Sequence, residues 1–276
     1  MKKLCLFIIL IFACGEVSEQ IIGYKEIVQS AWELFSDEEF EQARTEFTNA
    51  LDYEVLNNIA EAHIGIGWCN LYIANQYTDL IDLESRNELR DIAFNNFILA
   101  QTKDAAAENS DKITNEIKAI MSSGLVFVYD YILLNYNDQY FNSECPICEQ
   151  SFSCDTDEFR SDCIIPVVKD IVSESNRLIE YQDNFEFLYD SSINIDDIRF
   201  IRARLAFSFE DFTADEFHLS GADEEEDYPI HELEICMINK LTDECIELGL
   251  DIYCQEPYPN IPVEDFLGCL SSFYTP

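Results

Sequence analysis

The spacing of apolar residues from Tyr24 onward is the feature that most limits how this chain can fold. In YKEIVQSAWELFSDEEFEQARTEFTNAL, residues 24–51, Ile27, Ala31 and Leu34 recur on one face of a helix. After a polar stretch, Ser36-Asp37-Glu38-Glu39, a second helical face follows, made of Phe40, Ala43, Phe47, Ala50 and Leu51. The segment predicts a helical hairpin, with Ser36 or Asp37 as the N-cap of its second helix.

The residues of this hairpin are similar to a tetratricopeptide repeat. With Tyr24 as the first position, small residues fall at the eighth, twentieth and twenty-seventh positions and an aromatic residue at the twenty-fourth: Ala31, Ala43, Ala50 and Phe47. The resemblance implies that the two helices approach closely at the alanines. It also implies that Phe47 fills the groove toward the next pair of helices.

The same pattern returns further along the chain. Residues 60–72, AEAHIGIGWCNLY, place Gly65 three residues before Trp68, and residues 90–101 carry Ala93, Phe97 and Ala100 at the spacing of the first hairpin. An insertion around residues 75–87 separates these two halves and is expected to be a long loop or a helix extension. A further first helix is predicted in residues 116–136, where Gly124 precedes Phe127. Residues 20–136 are therefore predicted to form about five helices in stacked pairs.

The first sixteen residues, MKKLCLFIILIFACGE, have the features of an export signal. Lys2 and Lys3 precede an uncharged apolar run that is too short to span a bilayer. Ile11-Phe12-Ala13-Cys14 resembles the bacterial lipobox, which implies cleavage after Ala13 and acyl chains on Cys14. Secretion with Cys14 unmodified, and an uncleaved N-terminal anchor, are the alternatives.

Nine cysteines follow Cys14, and export determines how they are interpreted. Cys69 lies in a predicted repeat helix and is expected to be a buried free thiol. The other eight form two clusters of four: Cys145, Cys148, Cys154 and Cys163, then Cys236, Cys245, Cys254 and Cys269. An oxidising compartment favours disulfides over a zinc site at Cys145-x-x-Cys148 or redox catalysis there, and the spacing leaves the pairing within each cluster open.

The charge of the chain is strongly negative. There are 55 acidic and 16 basic residues, and removal of residues 1–13 leaves 14 basic residues and a formal charge of −41. This balance excludes binding to nucleic-acid phosphates. The acidic residues are spread along the whole chain, which favours adaptation to salty water, as in a marine bacterium, over capture of cations or of basic partners.

Beyond the first cysteine cluster the sequence again predicts helices. One begins near Pro166, a residue suited to the first turn, and another lies in residues 194–212, with Ile198, Ile201, Leu205 and Phe209 on one side. Arg199, Arg202 and Arg204 on this second helix are expected to pair with neighbouring carboxylates. Further helices are predicted before the Pro-rich C-terminal end.

Together these patterns predict an all-α protein. Residues 1–13 are expected to be a signal peptide and residues 14–22 a lipid-anchored linker. Residues 23–136 are expected to form a tetratricopeptide-like helical solenoid, residues 137–164 a Cys-rich loop insertion, and residues 165–276 a C-terminal helical region that continues the array.

The function expected from this organisation is binding. The chain has three histidines and lacks a serine elbow, a His-Glu-x-x-His motif and a Gly-rich phosphate loop, so no catalytic residue, metal ligand or cofactor is predicted. The leading interpretation is a non-catalytic lipoprotein of the bacterial envelope whose helical repeats bind a protein or peptide. The outer membrane is its expected location. The alternative is a surface receptor for a small solute or glycan.

Overall fold

The computed structural model describes residues 21–53, 56, 58–76, 83–135 and 165–208. Within these ranges there are seven α-helices and one short 3-10 helix, with a single isolated β-bridge between Glu186 and Asn194 and no strand. The prediction of an all-α protein is confirmed at this level. The predicted leader, linker residues 14–20 and Cys-rich insertion lie outside the described residues, as do those after residue 208.

The chain divides into two compact units, the first ending at Gly124 and the second beginning at Leu125. The first unit contains α1 (residues 21–36), α2 (Phe40–Ala50), the 3-10 helix Leu51–Tyr53, α3 (Ala60–Gln76), α4 (Leu83–Ala106) and the first part of α5 (Asn115–Asn135). The second unit contains the rest of α5, α6 (Ile165–Tyr181) and α7 (Ile195–Ser208). Each unit is described separately below.

Helices α1 and α2 form the predicted hairpin, and aromatic side chains fill the space between them. Trp32 on α1 meets Phe47 on α2 edge to face, with ring centroids 4.7 Å apart. Ala31, Ala43 and Ala50 are fully buried, as their spacing predicted. The buried face of α1 is displaced from the predicted one, because Ile27 and Leu34 are only half-buried while the larger Trp32 and Phe35 occupy the core.

The predicted N-cap of α2 is wrong. Ser36 still belongs to α1, Asp37 lies in the turn, and the N-cap is Glu39, which makes no side-chain capping hydrogen bond. The turn is instead specified by the end of α1. The Glu39 amide donates to the Leu34 carbonyl (2.9 Å), and Glu38 has a positive φ of 63°, which together form a Schellman-type C-terminal motif.

Helix α3 lies at the centre of the first unit and packs against both α2 and α4. Thirteen of its 17 residues are buried. Helix α4 begins at Leu83, before the predicted segment of residues 90–101, so part of the predicted insertion is a helix extension. The Trp68 indole of α3 donates to the Ile120 carbonyl of α5 (3.0 Å), which ties α5 to α3.

Glycines allow phenylalanine rings to pack directly against helix backbones at two successive steps. A Cβ at Gly65 of α3 would fall well inside 3.0 Å of the Phe47 ring of α2. A Cβ at Gly124 of α5 would collide in the same way with the Phe97 ring of α4. Both rings are fully buried, so each glycine is required by a close approach between helices.

A buried carboxylate organises the connection between α4 and α5. Asp104 is 6% exposed, and its Oδ1 accepts hydrogen bonds from the Asn58 side chain (3.0 Å) and the Ile113 amide (2.9 Å). Lys118 Nζ lies 3.5 Å from the other carboxylate oxygen. Asn58 also accepts from the Ala60 amide (2.9 Å), so the start of α3 and the end of α4 lie at the same end of the unit.

In the second unit, α6 packs against α7. Helix α6 begins at Ile165 with Pro166 in its first turn, as the sequence predicted. Ile198, Ile201 and Leu205 of α7 are buried, and Phe209 lies outside the described residues. Between the two helices, the Ile195 amide donates to the Phe185 carbonyl (2.8 Å) and the Phe187 amide donates to the Ile193 carbonyl (2.9 Å).

Candidate functional site

The residues that the sequence singles out for modification or cross-linking lie outside the described residues. These are the lipid-attachment candidate Cys14 and the eight disulfide candidates Cys145, Cys148, Cys154, Cys163, Cys236, Cys245, Cys254 and Cys269. Cys69 is described, and the prediction of a buried free thiol is confirmed. Burial raises the pKa of this thiol well above its ordinary value, so it stays protonated and unreactive at neutral pH.

One side of helix α4 exposes two aliphatic side chains. Ile92 and Leu99 are 38% and 44% exposed and lie two turns apart on one side of the helix. Three exposed polar residues share this side: Glu88, Asp91 and Asn95. We call these five residues the α4 outer face.

The electrostatics of the α4 outer face are negative. The pKa of Asp91 is raised, first by partial desolvation of its carboxyl group at the helix surface and second by the neighbouring charge of Glu88. A cation placed here would relieve the repulsion between these two carboxylates. The combination of two aliphatic side chains with adjacent acids therefore suits contact with a positively charged amphipathic surface.

In the second unit, two arginines are buried on α7. Arg204 is 3% exposed, and its Nη2 lies 2.6 Å from Asp130 Oδ2 on α5, while its guanidinium sits over the Phe200 ring at 4.7 Å. Arg202 is 1% exposed and donates from Nη1 to Ser175 Oγ (2.7 Å) and Asn176 Oδ1 (2.6 Å) on α6. The expected pairing with a carboxylate therefore holds for Arg204, whereas these two contacts of Arg202 are with neutral oxygens.

A second polar group in this unit joins α5 to α6. Tyr129 and Asp170 are hydrogen-bonded, and the pKa of each is raised, chiefly by burial. Glu174 is buried and lies 2.6 Å from Arg177 Nη1, and its charge contributes to both shifts. Because the phenol remains protonated, it serves as a hydrogen-bond donor between the helices.

His63, on α3, takes part in packing. It is 8% exposed, and its Nδ1 lies 2.9 Å from the Asn96 side-chain oxygen on α4. The described ranges contain no group of three or more His, Cys, Asp or Glu side chains placed to hold a metal ion. None of the helices in those ranges is long and apolar enough to cross a bilayer.

Sequence reasoning missed the polar partners of the arginines. Asp130 lies 74 residues before Arg204, and no local spacing connects the two. One signal was available, because Asp130 is a charged residue inside the apolar run LVFVYDYILL of residues 125–134. A charge in such a run is buried at a high cost unless an opposite charge meets it.

Comparison with protein-family models, with curated proteins and with solved structures finds no match to this chain.

Proposed function

We propose that this chain is a lipoprotein of the bacterial envelope, held by acyl chains on Cys14. The outer membrane is the proposed location. The tetratricopeptide-like helical hairpins of the chain act as a non-catalytic scaffold that binds a protein partner. The proposal is supported chiefly by one observation, the repeated contact of a phenylalanine with a glycine on the following helix.

The repetition of this contact favours stacked hairpins over an irregular helical cluster. Phe47 lies on the second helix of one hairpin and meets Gly65 on the first helix of the next. Phe97 and Gly124 repeat the relation one hairpin later. Each phenylalanine also contacts a tryptophan within its own hairpin, Trp32 at 4.7 Å and Trp68 at 6.1 Å between ring centroids. Such nearest-neighbour repetition is typical of helical repeat arrays.

The buried state of α3 affects where a partner would bind. In an open array the first helices of the hairpins line a concave groove, but α3 is buried along nearly its whole length. We therefore assign partner binding to the α4 outer face, where Ile92 and Leu99 are accessible.

The partner that best suits this surface is a basic amphipathic helix. Apolar residues at the spacing of Ile92 and Leu99 match the i and i+7 anchors of an amphipathic helix laid along α4. Lysines or arginines beside those anchors would face Glu88 and Asp91, whose mutual repulsion they would relieve.

The alternative function, a receptor for a small solute or glycan, is weakened by the position of the tryptophans. Sugar-binding sites use exposed aromatic faces, and both tryptophans of the chain, Trp32 and Trp68, are 2% exposed. Their rings are engaged with Phe47 and Phe97 inside the helical hairpins. Neither is available to stack on a ligand.

Lipid attachment is tested by mass spectrometry of the N-terminal peptide after expression in a bacterium that processes lipoproteins. We expect a peptide that begins at Cys14 and carries acyl chains, and we expect Cys14→Ser to abolish it. Cys5→Ser is the matched control, because Cys5 lies in the part of the leader that is removed. An unacylated N-terminus in the unaltered protein contradicts this half of the proposal.

Partner binding is tested by cross-linking in intact envelopes with two matched double variants. Ile92→Ser/Leu99→Ser alters the α4 outer face, and Gln42→Ser/Asn49→Ser alters exposed positions of α2 at the same separation. We expect the first variant to lower the yield of the main cross-linked partner at least tenfold and the second to leave it unchanged. Equal yields from both variants, or no partner of the unaltered protein, would refute the scaffold.

A further inference from the structure

The first turn of α1 exposes two apolar side chains. Ile21 is 40% exposed and Ile22 is 56% exposed. The buried residues of α1 are Tyr24, Val28, Ala31, Trp32 and Phe35. Ile21 lies one turn before them on the same side of the helix, and Ile22 lies on the outer side. The two isoleucines therefore form an exposed apolar end of α1 in the part of the chain that the structure describes.

A cation shares the surface of this turn. Lys25 is exposed and lies four residues after Ile21 and three after Ile22, so the three side chains are neighbours on the helix. Gln29 and Glu33 continue the same stripe toward the end of α1, and both are exposed. Along these positions α1 changes from apolar to cationic, then to neutral and acidic, and the exposed Glu26 lies beside Lys25.

The position of this turn in the sequence brings it close to the proposed lipid anchor. Seven residue steps separate Cys14 from Ile21. A fully extended chain covers at most about 3.6 Å a residue, so their Cα atoms can be no more than about 25 Å apart in any conformation. A lipid on Cys14 would hold Ile21 within reach of the membrane surface.

We propose that Ile21, Ile22 and Lys25 form a contact with the phospholipid interface that orients the first unit on the membrane. The isoleucines enter the boundary between headgroups and acyl chains, and the Lys25 ammonium pairs with lipid phosphate. The strong negative charge of the chain confines the contact to this turn, since the acidic part of α1 is repelled by anionic lipid. The inference rests on the lipid attachment proposed above.

The same contact would fix which end of the unit faces the membrane. The Tyr24 hydroxyl accepts a hydrogen bond from the Ala62 amide (3.3 Å), so the start of α1 lies beside the start of α3. Tyr53, after α2, lies next to Gly23. The membrane-facing end therefore holds the starts of α1 and α3 and the end of α2.

The experiment uses acylated full chains in phosphatidylethanolamine and phosphatidylglycerol vesicles, with and without brominated acyl chains. Ile22→Trp places an indole in the proposed contact, and Glu33→Trp places one on the same stripe, about 16 Å farther along α1. The native indoles of Trp32 and Trp68 are buried and supply the background measured in the unaltered protein. Circular dichroism verifies the fold, and Ile21→Trp replaces Ile22→Trp if that variant misfolds.

We expect the added emission of Ile22→Trp to fall at least twofold in brominated vesicles and that of Glu33→Trp to stay unchanged. Equal quenching of the two variants, or quenching of neither, would overturn the membrane contact while lipid attachment stands. If the unaltered chain is recovered from a lipoprotein-processing bacterium without acyl groups and does not bind the vesicles, the proposed attachment is wrong and this inference with it.

Discussion

At the scale of single residues, we expect two glycines and one pair of charged side chains to contribute strongly to the stability of the fold. Gly65 and Gly124 matter because a ring occupies the place of the missing side chain. Asp130 and Arg204 matter because each is buried with the other. Both kinds of contact join residues that are distant in sequence. Loss of the first causes overpacking, whereas loss of the second leaves a buried charge without this partner.

Gly65→Ala should destabilise the first unit. The new methyl group would displace the buried Phe47 ring, and overpacking of this kind costs about 1–3 kcal/mol, which exceeds the gain of up to about 1 kcal/mol in helix propensity. Urea unfolding measures the change. Because the clash requires the ring, Phe47→Leu combined with Gly65→Ala should be less destabilising than the sum of the two. Additive effects would show that the contact is not the cause.

Asp130→Ala should destabilise the second unit by about 3–5 kcal/mol, because it leaves the buried Arg204 guanidinium without this carboxylate. Replacing both residues with apolar ones, Asp130→Leu/Arg204→Met, should restore much of the loss. Glu41→Gln is the control, since Glu41 pairs with Arg44 at the surface and such pairs contribute about 0–1 kcal/mol. Chemical denaturation of the three variants distinguishes a buried pair from a surface pair.

At the scale of helices, periodicity predicted most of the described helices. All five helices expected in residues 20–136 are present. Each helix buries one apolar face, and the spacing of apolar residues in the sequence indicates that face. The start of α4 was missed, since the insertion before residue 90 has no matching segment in the first hairpin. The N-cap of α2 was predicted wrongly because α1 ends with a left-handed residue, Glu38. Glycine usually occupies such a position, and the sequence has no glycine there to indicate it.

Glu38→Gly should stabilise the α1–α2 hairpin by about 1 kcal/mol. A left-handed backbone costs a residue with a Cβ roughly 1–2 kcal/mol, and glycine avoids that cost but loses more entropy on folding. Thermal unfolding measures the gain. Glu33→Gly, three residues before the end of the regular helix, should do the opposite and destabilise by about 1 kcal/mol. A loss of stability in both variants would contradict the assigned conformation.

The N-terminal turn of α3 should give a pH-dependent contribution to stability. Burial raises the pKa of Glu61 above its ordinary value of 4.5, although the Trp32 hydrogen bond and Lys25 oppose the shift. The folded state therefore binds the proton more tightly, so this contribution is full below about pH 4.5 and is lost as pH rises through the raised pKa. Glu61→Gln keeps an acceptor for Trp32 and should be more stable than the unaltered protein at pH 7, with the difference reduced at pH 4.

Urea unfolding at the two pH values measures this difference. Glu26→Gln, at an exposed position of α1, is the control and should change stability little. A Glu61→Gln variant less stable than the parent at pH 7 would show that the hydrogen bonds of Glu61 outweigh the cost of burying its charge.

At the scale of the whole molecule, the net charge of −39 is the dominant property. The sequence predicted that this charge is distributed, and the described helices α1, α2 and α4 all carry exposed acids. The partner of the buried Arg204 could not be predicted from local spacing, because Asp130 meets it only when α5 and α7 pack. The proposed partner surface could not be predicted from the sequence either, since only the packed unit shows that α3 is enclosed while Ile92 and Leu99 are exposed.

Salt should stabilise the folded protein. Between about 0.05 M and about 1 M NaCl the Debye length falls from about 14 Å to about 3 Å, which screens repulsion among the acids. We expect the melting temperature to rise across this range. A variant with three neutralised acids, Asp37→Asn/Glu38→Gln/Glu39→Gln, should show a smaller rise. A melting temperature that does not depend on salt would contradict the interpretation of the charge as adaptation to saline conditions.

The enclosure of α3 has a consequence for how the first unit comes apart. A linear array can fray from its ends, one hairpin at a time, because each hairpin depends only on its neighbours. Helix α3 is packed by α2, by α4 and, through Trp68, by α5, so it cannot be exposed without breaking contacts to all three. Its amide hydrogens should therefore exchange with solvent only when the unit opens as a whole.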